Sequence, residues 1–560
     1  MAEKAARVLV VGGGSVGLSA ALFLAHHGVE TLLVESREGP SLHPRATGIG
    51  PRTVEFFREV GCEQAVDAAA VDMPRGNLGK ITAVTLAEAD LSTTMSPESR
   101  VGSARTGAAP PASPFGTLSP SVLRGTCPQS RLDAVLAAEA PKRGATLRHS
   151  TRLVSFEQDS DGVTAVLDGA SGTYSVRVDH LVAADGARSE VRHALGIGTS
   201  GPGAMGKPKI NVLFHADLGR YTKGAAFVNC TITTPEAPGL LMTIDGTDLW
   251  TFHTEYDPDA GQRAEDFTDE RCRALIRAAV GDPTLGVNVI SAQSWRVRGL
   301  LADRFASGRV FLIGDAAHTV PPIGAFGLNT GIADAHNLAW KLAAVHHGEA
   351  DPALLDTYAT ERRPVASATL DQAMRRLADP KLHWASGPEA AAARIAAGVV
   401  HGPVVHMGYR YDSTAVVGAR PELPSTQDLA ADLDGAPGSR LPHMWLEQDT
   451  GPVSTLDLVR SRLTVLAGPA GEAWTSATER AAEIIGVDVA VHRIGTDTTV
   501  RDPHGLWPAS TGLAADGAVL VRPDGFIAWR APALPEQATA ELTRALARVL
   551  GRPMPAADHH

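Results

Sequence analysis

Apolar residues come in three rhythms along this chain, and each predicts a different kind of element. Short unbroken runs are the first. Arg7–Val11, Thr31–Val34 and Val310–Ile313 have the length and β-branched content of strands buried on both faces. Between the first two, Leu18–His26 carries the apolar spacing of a helix. Strand, helix and strand in that order predict a parallel βαβ unit. The second rhythm fills residues 196–300. There Ile210–Leu218, Ala225–Thr233, Leu240–Ile244 and Asp248–Tyr256 are strand-like runs separated by Gly, Pro and Asp, the pattern of an antiparallel sheet. The third follows a Pro- and Asp-rich stretch, Ala419–Asp434. It reads as strand Leu463–Leu466, helix Trp474–Ile485, strand Asp488–Ile494, a hairpin of Ala518–Arg522 and Phe526–Trp529 around Pro523-Asp524-Gly525, and helix Glu536–Leu550.

The loop joining the first strand and helix is Gly12-Gly13-Gly14-Ser15-Val16-Gly17. Glu35 closes the second strand, 21 residues beyond Gly14. Strand, GxGxxG, helix, strand and acid together are the dinucleotide-binding arrangement, whereas the glycines alone would be a weak sign. Gly12 permits the tight turn, Gly14 lets a pyrophosphate approach the backbone, and Gly17 lets helix pack on strand. The positive helix end then faces phosphate, and Glu35 accepts hydrogen bonds from the adenosine ribose. The motif does not separate FAD from NAD.

Length and charge narrow the field. A chain of 560 residues holds several cores, with two to four domains expected from length alone. Hydrophobic content of 44% and charged content of 20% are those of an ordinary soluble globular protein. A net charge of −11 without a dense Lys/Arg run argues against nucleic acid and anionic membranes as partners. No apolar stretch is long enough to span a bilayer, and Met1–Arg7 lacks the apolar core of a signal peptide. The four cysteines, Cys62, Cys127, Cys230 and Cys272, are widely spaced without a CxxC. That fits a reducing cytoplasm and excludes a cysteine zinc site. No His/Cys/carboxylate cluster has metal-ligand spacing.

Three further segments carry chemistry. Arg309–Leu342 runs from a strand through Gly314-Asp315 and Pro321-Pro322 into a Gly-spaced loop and a helix. His180–Arg192 places Asp185-Gly186 between a strand and a helix, and Cys127–Leu136 opens a helix with Gln129 and Arg131. With the N-terminal loop, these four motifs in order resemble the group A flavoprotein aromatic hydroxylases, in the branch of phenol and aromatic-polyketide hydroxylases. The resemblance covers about residues 6–400 and, more faintly, 420–551. It implies an α/β fold: a Rossmann-like FAD-binding domain (1–195 and 301–419, the latter with helices), an inserted antiparallel β-sheet substrate domain (196–300), and a thioredoxin-like domain lacking CxxC (420–560). Thiol redox chemistry is excluded there; packing, dimerisation into a homo-oligomer, or partner binding remain open.

The resemblance also assigns roles. Asp315 binds the ribityl chain of FAD. Asp185 lies near the pyrophosphate with Arg188 close by, in a motif thought to serve NADPH as well. Gln129 and Arg124 hold phosphates or ribityl hydroxyls. Arg45, in the loop HPRATGIGPRTVEFF, lies against the isoalloxazine, and the turn at Gly327 with the amides of Leu328 and Asn329 binds the pyrimidine edge. Pro322 covers the face where O2 reacts. The implied activity is an FAD- and NADPH- or NADH-dependent monooxygenase that hydroxylates a phenolic aromatic, simple or polycyclic, through a flavin C4a-hydroperoxide. Oxygen insertion beside a ketone and a non-oxygenating flavin dehydrogenase are the alternatives. Two departures stand out: Gly324-Ala325-Phe326-Gly327 replaces a Gly-Gly-Gln-Gly type turn, and Thr47 stands where some phenol hydroxylases carry an Asp base.

Read from the residues themselves, the expected substrate liners are Phe227, Met242, Trp250, Phe252, His253 and Trp295, although strand alternation sends about half of such a set to the opposite face. His253 is the polar candidate for phenol activation. An Asp after a strand Gly is often only a turn former, and His318 reads equally well as a cap or a packed residue.

Overall fold

The computed structural model describes residues 3–4, 6–41, 43, 48–71, 80–91, 117–123, 125–223, 229–384 and 387–553. Arg45, Thr47, Arg124 and Phe227 lie outside them. The chain begins with β1 (Val8–Val11), α1 (Ser15–His26), β2 (Thr31–Val34) and α2 (Pro51–Glu59). Every residue of β1 and β2 is buried, as continuous apolar runs require of strands covered on both faces. After β3 (Lys80–Ala83) come α3 (Gln129–Lys142), β4 (Thr146–Arg148) and β5 (His180–Ala183). Between β4 and β5, three antiparallel strands (Arg152–Gln158, Val163–Gly169 and Gly172–Val178) form a separate sheet that periodicity did not announce, with Glu3–Lys4 added in parallel along Gly172–Val178.

The middle third supplies β6 (Thr199–His215), β7 (Asn229–Ile232), β8 (Gly239–Thr243), β9 (Leu249–Glu255), α4 (Asp269–Val280) and β10 (Asn288–Ala302). Next are β11 (Val310–Leu312), β12 (His318–Thr319), α5 (Phe326–His346) and α6 (Asp356–Ala378). Among the described residues β11, β5, β1, β2 and β4 lie side by side and parallel, in that order. Helix α5 is apolar on nearly every side and is buried accordingly. Leu22 and Phe23 of α1 are shut off from solvent in the same core, each contributing about 1.5–3 kcal/mol of transfer free energy.

The second sheet runs β12-β10-β6-β9-β8-β7-β3. It is not built from residues 196–300 alone, because β3 pairs in parallel with β7 at one edge and β12 with β10 at the other. One face packs on α4 through Ile210, Val212, Phe214, Phe252, Cys272 and Ile276. The Pro- and Asp-rich stretch after α6 is packed rather than free, with Leu429 and Leu433 buried against Val404 and Met407.

The final unit contains β13 (Thr464–Ala467), α7 (Ala473–Ile485), β14 (Ala490–Gly495), β15 (Ala518–Val521), β16 (Ile527–Ala531) and α8 (Ala538–Val549). Its core strands lie in the order β14-β13-β15-β16, the first pair parallel and the others antiparallel. No described helix is long and apolar enough to cross a membrane.

Candidate active site

The glycine loop is held by close approach. Gly12 has φ +107°, and a Cβ there would lie 2.4 Å from the Ala184 carbonyl oxygen. A Cβ on Gly17 would lie 1.9 Å from the Gly12 carbonyl oxygen, so helix and turn interlock without room for a methyl. Gly14 differs: a Cβ there meets nothing within 4 Å. It caps α1 without a side-chain hydrogen bond, which leaves first-turn amides facing open space. That cradle fits a pyrophosphate. Ser15 hydroxyl donates to buried Asp133 on α3, tying this turn to the helix that starts at Gln129.

Glu35 is buried at the tip of β2 and accepts the Gly13 amide at 2.6 Å. Arg37 adds its backbone amide at 2.9 Å and its Nε at 3.0 Å. Burial alone would raise the Glu35 pKa; the donors from Arg37 and Gly13 outweigh it and hold the group at about 2. Asp185, beyond β5, accepts the Val191 amide at 3.0 Å. Its Oδ1 is buried with no partner among the described residues, and burial pushes its pKa up against the hydrogen bonds it does receive. A buried carboxyl oxygen without a donor is suited to a hydroxyl from a bound molecule. Arg188 is exposed.

Three distant segments meet at the start of α1. A Cβ on Gly314 (φ +56°) would touch Val16 at 3.0 Å, and one on Gly331 would meet Val16 at 2.8 Å and the Gly314 Cα at 2.9 Å. The turn Gly314–Ala316 is therefore pressed between the first turn of α1 and α5, with Asp315 on its exposed side. Asp334 of α5 holds this turn from beneath. Its Oδ2 accepts the Gly314 amide at 3.1 Å and meets His318 Nε2 at 2.7 Å, and its Oδ1 accepts Arg362 Nε at 2.8 Å. Burial would raise the Asp334 pKa, but His318 and Arg362 hold it down. His318 is thus a buried structural partner, stacked on Phe305.

The head of α5 is fixed by the Asn329 side chain. Its Oδ1 accepts the Gly50 amide at 2.8 Å and Thr53 hydroxyl at 2.6 Å, while its Nδ2 donates to the Ala325 carbonyl at 2.6 Å. The free amides of the first turn are those of Phe326, Gly327 and Leu328. The Asn329 amide, which the resemblance also offers to the pyrimidine edge, follows them directly along α5. Pro321 is buried and Pro322 exposed.

Register divides the aromatic set of the second sheet. Asn211 pairs with His253 and with Gln293, Lys209 with Trp295, and Met242 with Thr251. His253, Met242 and Trp295 therefore share one face, opposite α4. Trp250 and Phe252 lie on the α4 face, buried in its core, with the Trp250 indole donating to the Ala216 carbonyl at 3.1 Å. Strand alternation removes both from the candidate substrate surface. The His253 and Trp295 rings meet edge to face at 5.8 Å. His43, at the start of the HPRATGIG loop, reaches the same face through Ser291 Oγ at 2.8 Å. Burial, with help from His43 and Lys209, lowers the His253 pKa to about 4. Asn211 Oδ1 and Trp295 Nε1 are buried there without a partner among the described residues. Asn211 escaped notice in the sequence because a polar residue in an apolar run carries no signal of which way it faces.

Residues 5–373 match the family model described as an FAD binding domain, and 434–553 match the one described as aromatic-ring hydroxylase, C-terminal. The chain belongs to the FAD-dependent aromatic-ring hydroxylases. This hydroxylase is 42% identical to the tetracenomycin A2 monooxygenase-dioxygenase of Streptomyces glaucescens, over 99% of this chain and 98% of that one. It is 38% identical to a 4-methyl-5-nitrocatechol 5-monooxygenase of a Burkholderia species, over 97% of each. It superposes with a TM-score of 0.82 on the crystal structure of a ternary complex of aklavinone-11 hydroxylase with FAD and aklavinone, at 35% identity over 99% of this chain and all of that one. Like these relatives, it is a flavin-dependent aromatic monooxygenase.

What the sequence did not announce is how firmly the hydroxylase's last unit is joined to its flavin half. Arg440 donates to Glu55 of α2 through Nε (3.0 Å) and Nη2 (2.5 Å). Arg52 donates to Glu55 (2.8 Å) and to the Asp524 carbonyl (2.9 Å). Arg522 grips Glu361 of α6 at 2.6 and 2.9 Å, and Lys341 of α5 meets the same carboxylate at 2.7 Å. All these charged groups are buried. Among the described residues, no group of three or more His, Cys, Asp or Glu side chains is placed to hold a metal.

Proposed function

We propose that this hydroxylase acts on a phenolic ring within a polycyclic aromatic polyketide, with NADPH or NADH as reductant. Bound FAD, once reduced, supplies activated oxygen to an electron-rich aromatic carbon. The single observation that carries the flavin site is the convergence of Gly12–Gly17, Asp185 and Gly314-Asp315 on the start of α1. In this reading the α1 amides and Gly14 take the pyrophosphate, Glu35 the adenosine ribose, and Asp185 and Gln129 the phosphate or ribityl groups. Asp315 takes the ribityl chain, the turn at Gly327 with the amides of Leu328 and Asn329 the pyrimidine edge, and Pro322 walls the reacting face. Arg45 and Arg124 remain part of the proposal on the resemblance alone.

The relatives act on, or are bound to, aromatic acceptors of different size, as their names state. The larger class is favoured by the breadth of the face carrying Asn211, Met242, His253 and Trp295, which spans four adjacent strands. His253 stays neutral near pH 7, so it is a poor base and a good hydrogen-bond partner for a phenol oxygen. Trp295 N–H and Asn211 Oδ1 offer one donor and one acceptor for the hydroxyl and carbonyl groups of such a ring system. For the final unit, the order β14-β13-β15-β16 supports a thioredoxin-like reading, and the cysteines all lie in other parts of the chain and are buried.

The test is a screen of simple phenols and polycyclic hydroxyquinones for stimulated NAD(P)H consumption with peroxide release followed in parallel. Stimulation by a polycyclic phenol without matching peroxide supports the proposal; stimulation by simple phenols alone refutes the substrate class. Asp315→Ala should strip FAD from the purified protein, and a fully yellow variant would refute that assignment.

A further inference from the structure

The turn Gly324-Ala325-Phe326-Gly327 carries a bulky ring at the head of α5 to which the chemistry above gives no task. Ala325 sits at φ +56°, a region that residues with a Cβ occupy only when their surroundings hold them there. The holding groups are visible. The Phe326 ring folds back over Gly324, so closely that a Cβ on Gly324 would lie 2.5 Å from it. Phe326 is fully buried; its ring lies 4.9 Å from the His406 ring and 5.1 Å from the Arg376 guanidinium carbon. His406 Nε2 is 3.3 Å from the Gly324 carbonyl oxygen, which can only accept, so His406 donates.

His406 also reaches the other flavin-facing loop. Its Nδ1 would stand 3.7 Å from a Cβ on Gly50, the residue where the HPRATGIG loop enters α2. It is carried by one turn of π-helix, Val404–Gly408, a local irregularity that tends to mark a position held for function. Asn329 spans the same two loops, through Gly50 and Ala325. Between them a cavity of about 20 Å³, lined in part by Gly50, Phe326, Asn329, His406 and Tyr409, is large enough for about one water. The junction is a small, tied assembly.

We propose that Phe326 and His406 are positioning residues that lock the Gly324–Phe326 turn, and with it the free amides at the head of α5, at one distance from the flavin's pyrimidine edge. The aromatic and the imidazole give this turn a fixed support. The proposal rests on the flavin reading above, and the experiment separates the two.

Full-length wild type is compared with His406→Phe, which keeps a ring but removes the donor to Gly324, with His406→Gln, which restores a donor, and with Phe326→Leu. FAD affinity is measured by fluorescence titration, alongside the flavin visible spectrum and the peroxide released per NAD(P)H oxidised with an accepted aromatic. His406→Phe should bind FAD about fivefold more weakly, the effect of one lost hydrogen bond. It should also alter the flavin spectrum and raise the peroxide fraction. His406→Gln should recover most of all three, and Phe326→Leu should resemble His406→Phe; if Phe326→Leu does not fold, the His406 pair decides alone. Wild-type affinity, spectrum and coupling in His406→Phe overturn the proposal, as does a change confined to thermal stability. Wild type that takes up no FAD overturns the flavin reading instead.

Discussion

Glu35 stays ionised because donors from Gly13 and Arg37 surround it, and its pH dependence follows. Its folded pKa of about 2 lies below its ordinary value of 4.5, so its stabilising contribution is complete above pH 4.5 and fades as pH falls toward 2. Since the Arg37 side chain is 44% exposed, solvent screening leaves about 1–2 kcal/mol. Glu35→Gln should show that deficit in urea unfolding at pH 7 and converge on wild type only as pH falls to about 2. A deficit independent of pH would show that charge plays no part. His253 is a second case. With its pKa at about 4, His253→Gln should lower kcat/KM about tenfold by weakening one hydrogen bond while leaving the pH profile between 6 and 8 unchanged in shape. The turn at Gly12, the helix–strand interlock at Gly17 and the buried Glu35 were legible because strand, glycine turn, helix, strand and acid follow one another in a fixed order. Asp185 and Asp315 stood out because each follows a buried strand within two or three residues. Asp334 did not, since a polar residue inside a long helix reads as a solvent-facing one until that helix proves to be buried on every side.

At the scale of elements, α5 and α6 cross beneath the Gly314 turn and clamp it through Asp334. Asp334→Asn keeps an acceptor for the Gly314 amide but leaves the buried Arg362 cation without its counter-charge. A loss of about 3–5 kcal/mol is expected, seen as a large fall in Tm and in bound FAD. Alternation in the second sheet was legible from the runs of residues 210–256, yet its phase was not. Period two states that His253 and Phe252 face opposite ways; only the packing of α4 decides which of them meets the core. The contribution of β3 was equally hidden, because a four-residue strand far upstream of its partner carries no mark of the sheet it will join.

Over the whole molecule, two halves distant in sequence share buried charge. Glu361 is held ionised, against burial, by Arg522 first and Lys341 second. Lys341 itself is brought down by burial to about 8, so its charge opposes folding below pH 8 and that cost is relieved as pH rises from 8 toward 10.5. Lys341→Met should accordingly cost less stability than Arg522→Met, which strands Glu361 and Asp524; thermal unfolding at pH 7 distinguishes them, and equal losses would contradict the ranking. Removing residues 434–560 leaves Glu55 without Arg440 and Glu361 without Arg522, so the truncated chain should fail to accumulate as folded, yellow protein.

The Glu55–Arg440 pair spans 385 residues, and that separation sets a timetable. A ribosome extending about 5–20 residues per second exposes the acid about 20–80 s before the second of its two bases is made. During that interval Glu55 has only Arg52 of its own helix as counter-charge, at a place that is dry in the finished protein. The nucleotide cradle is written in the first few dozen codons but should become habitable only when translation is nearly over. Nascent chains arrested before residue 440 should therefore be cut readily by protease even with FAD supplied, whereas resistance at that stage would mean that the early half closes by itself.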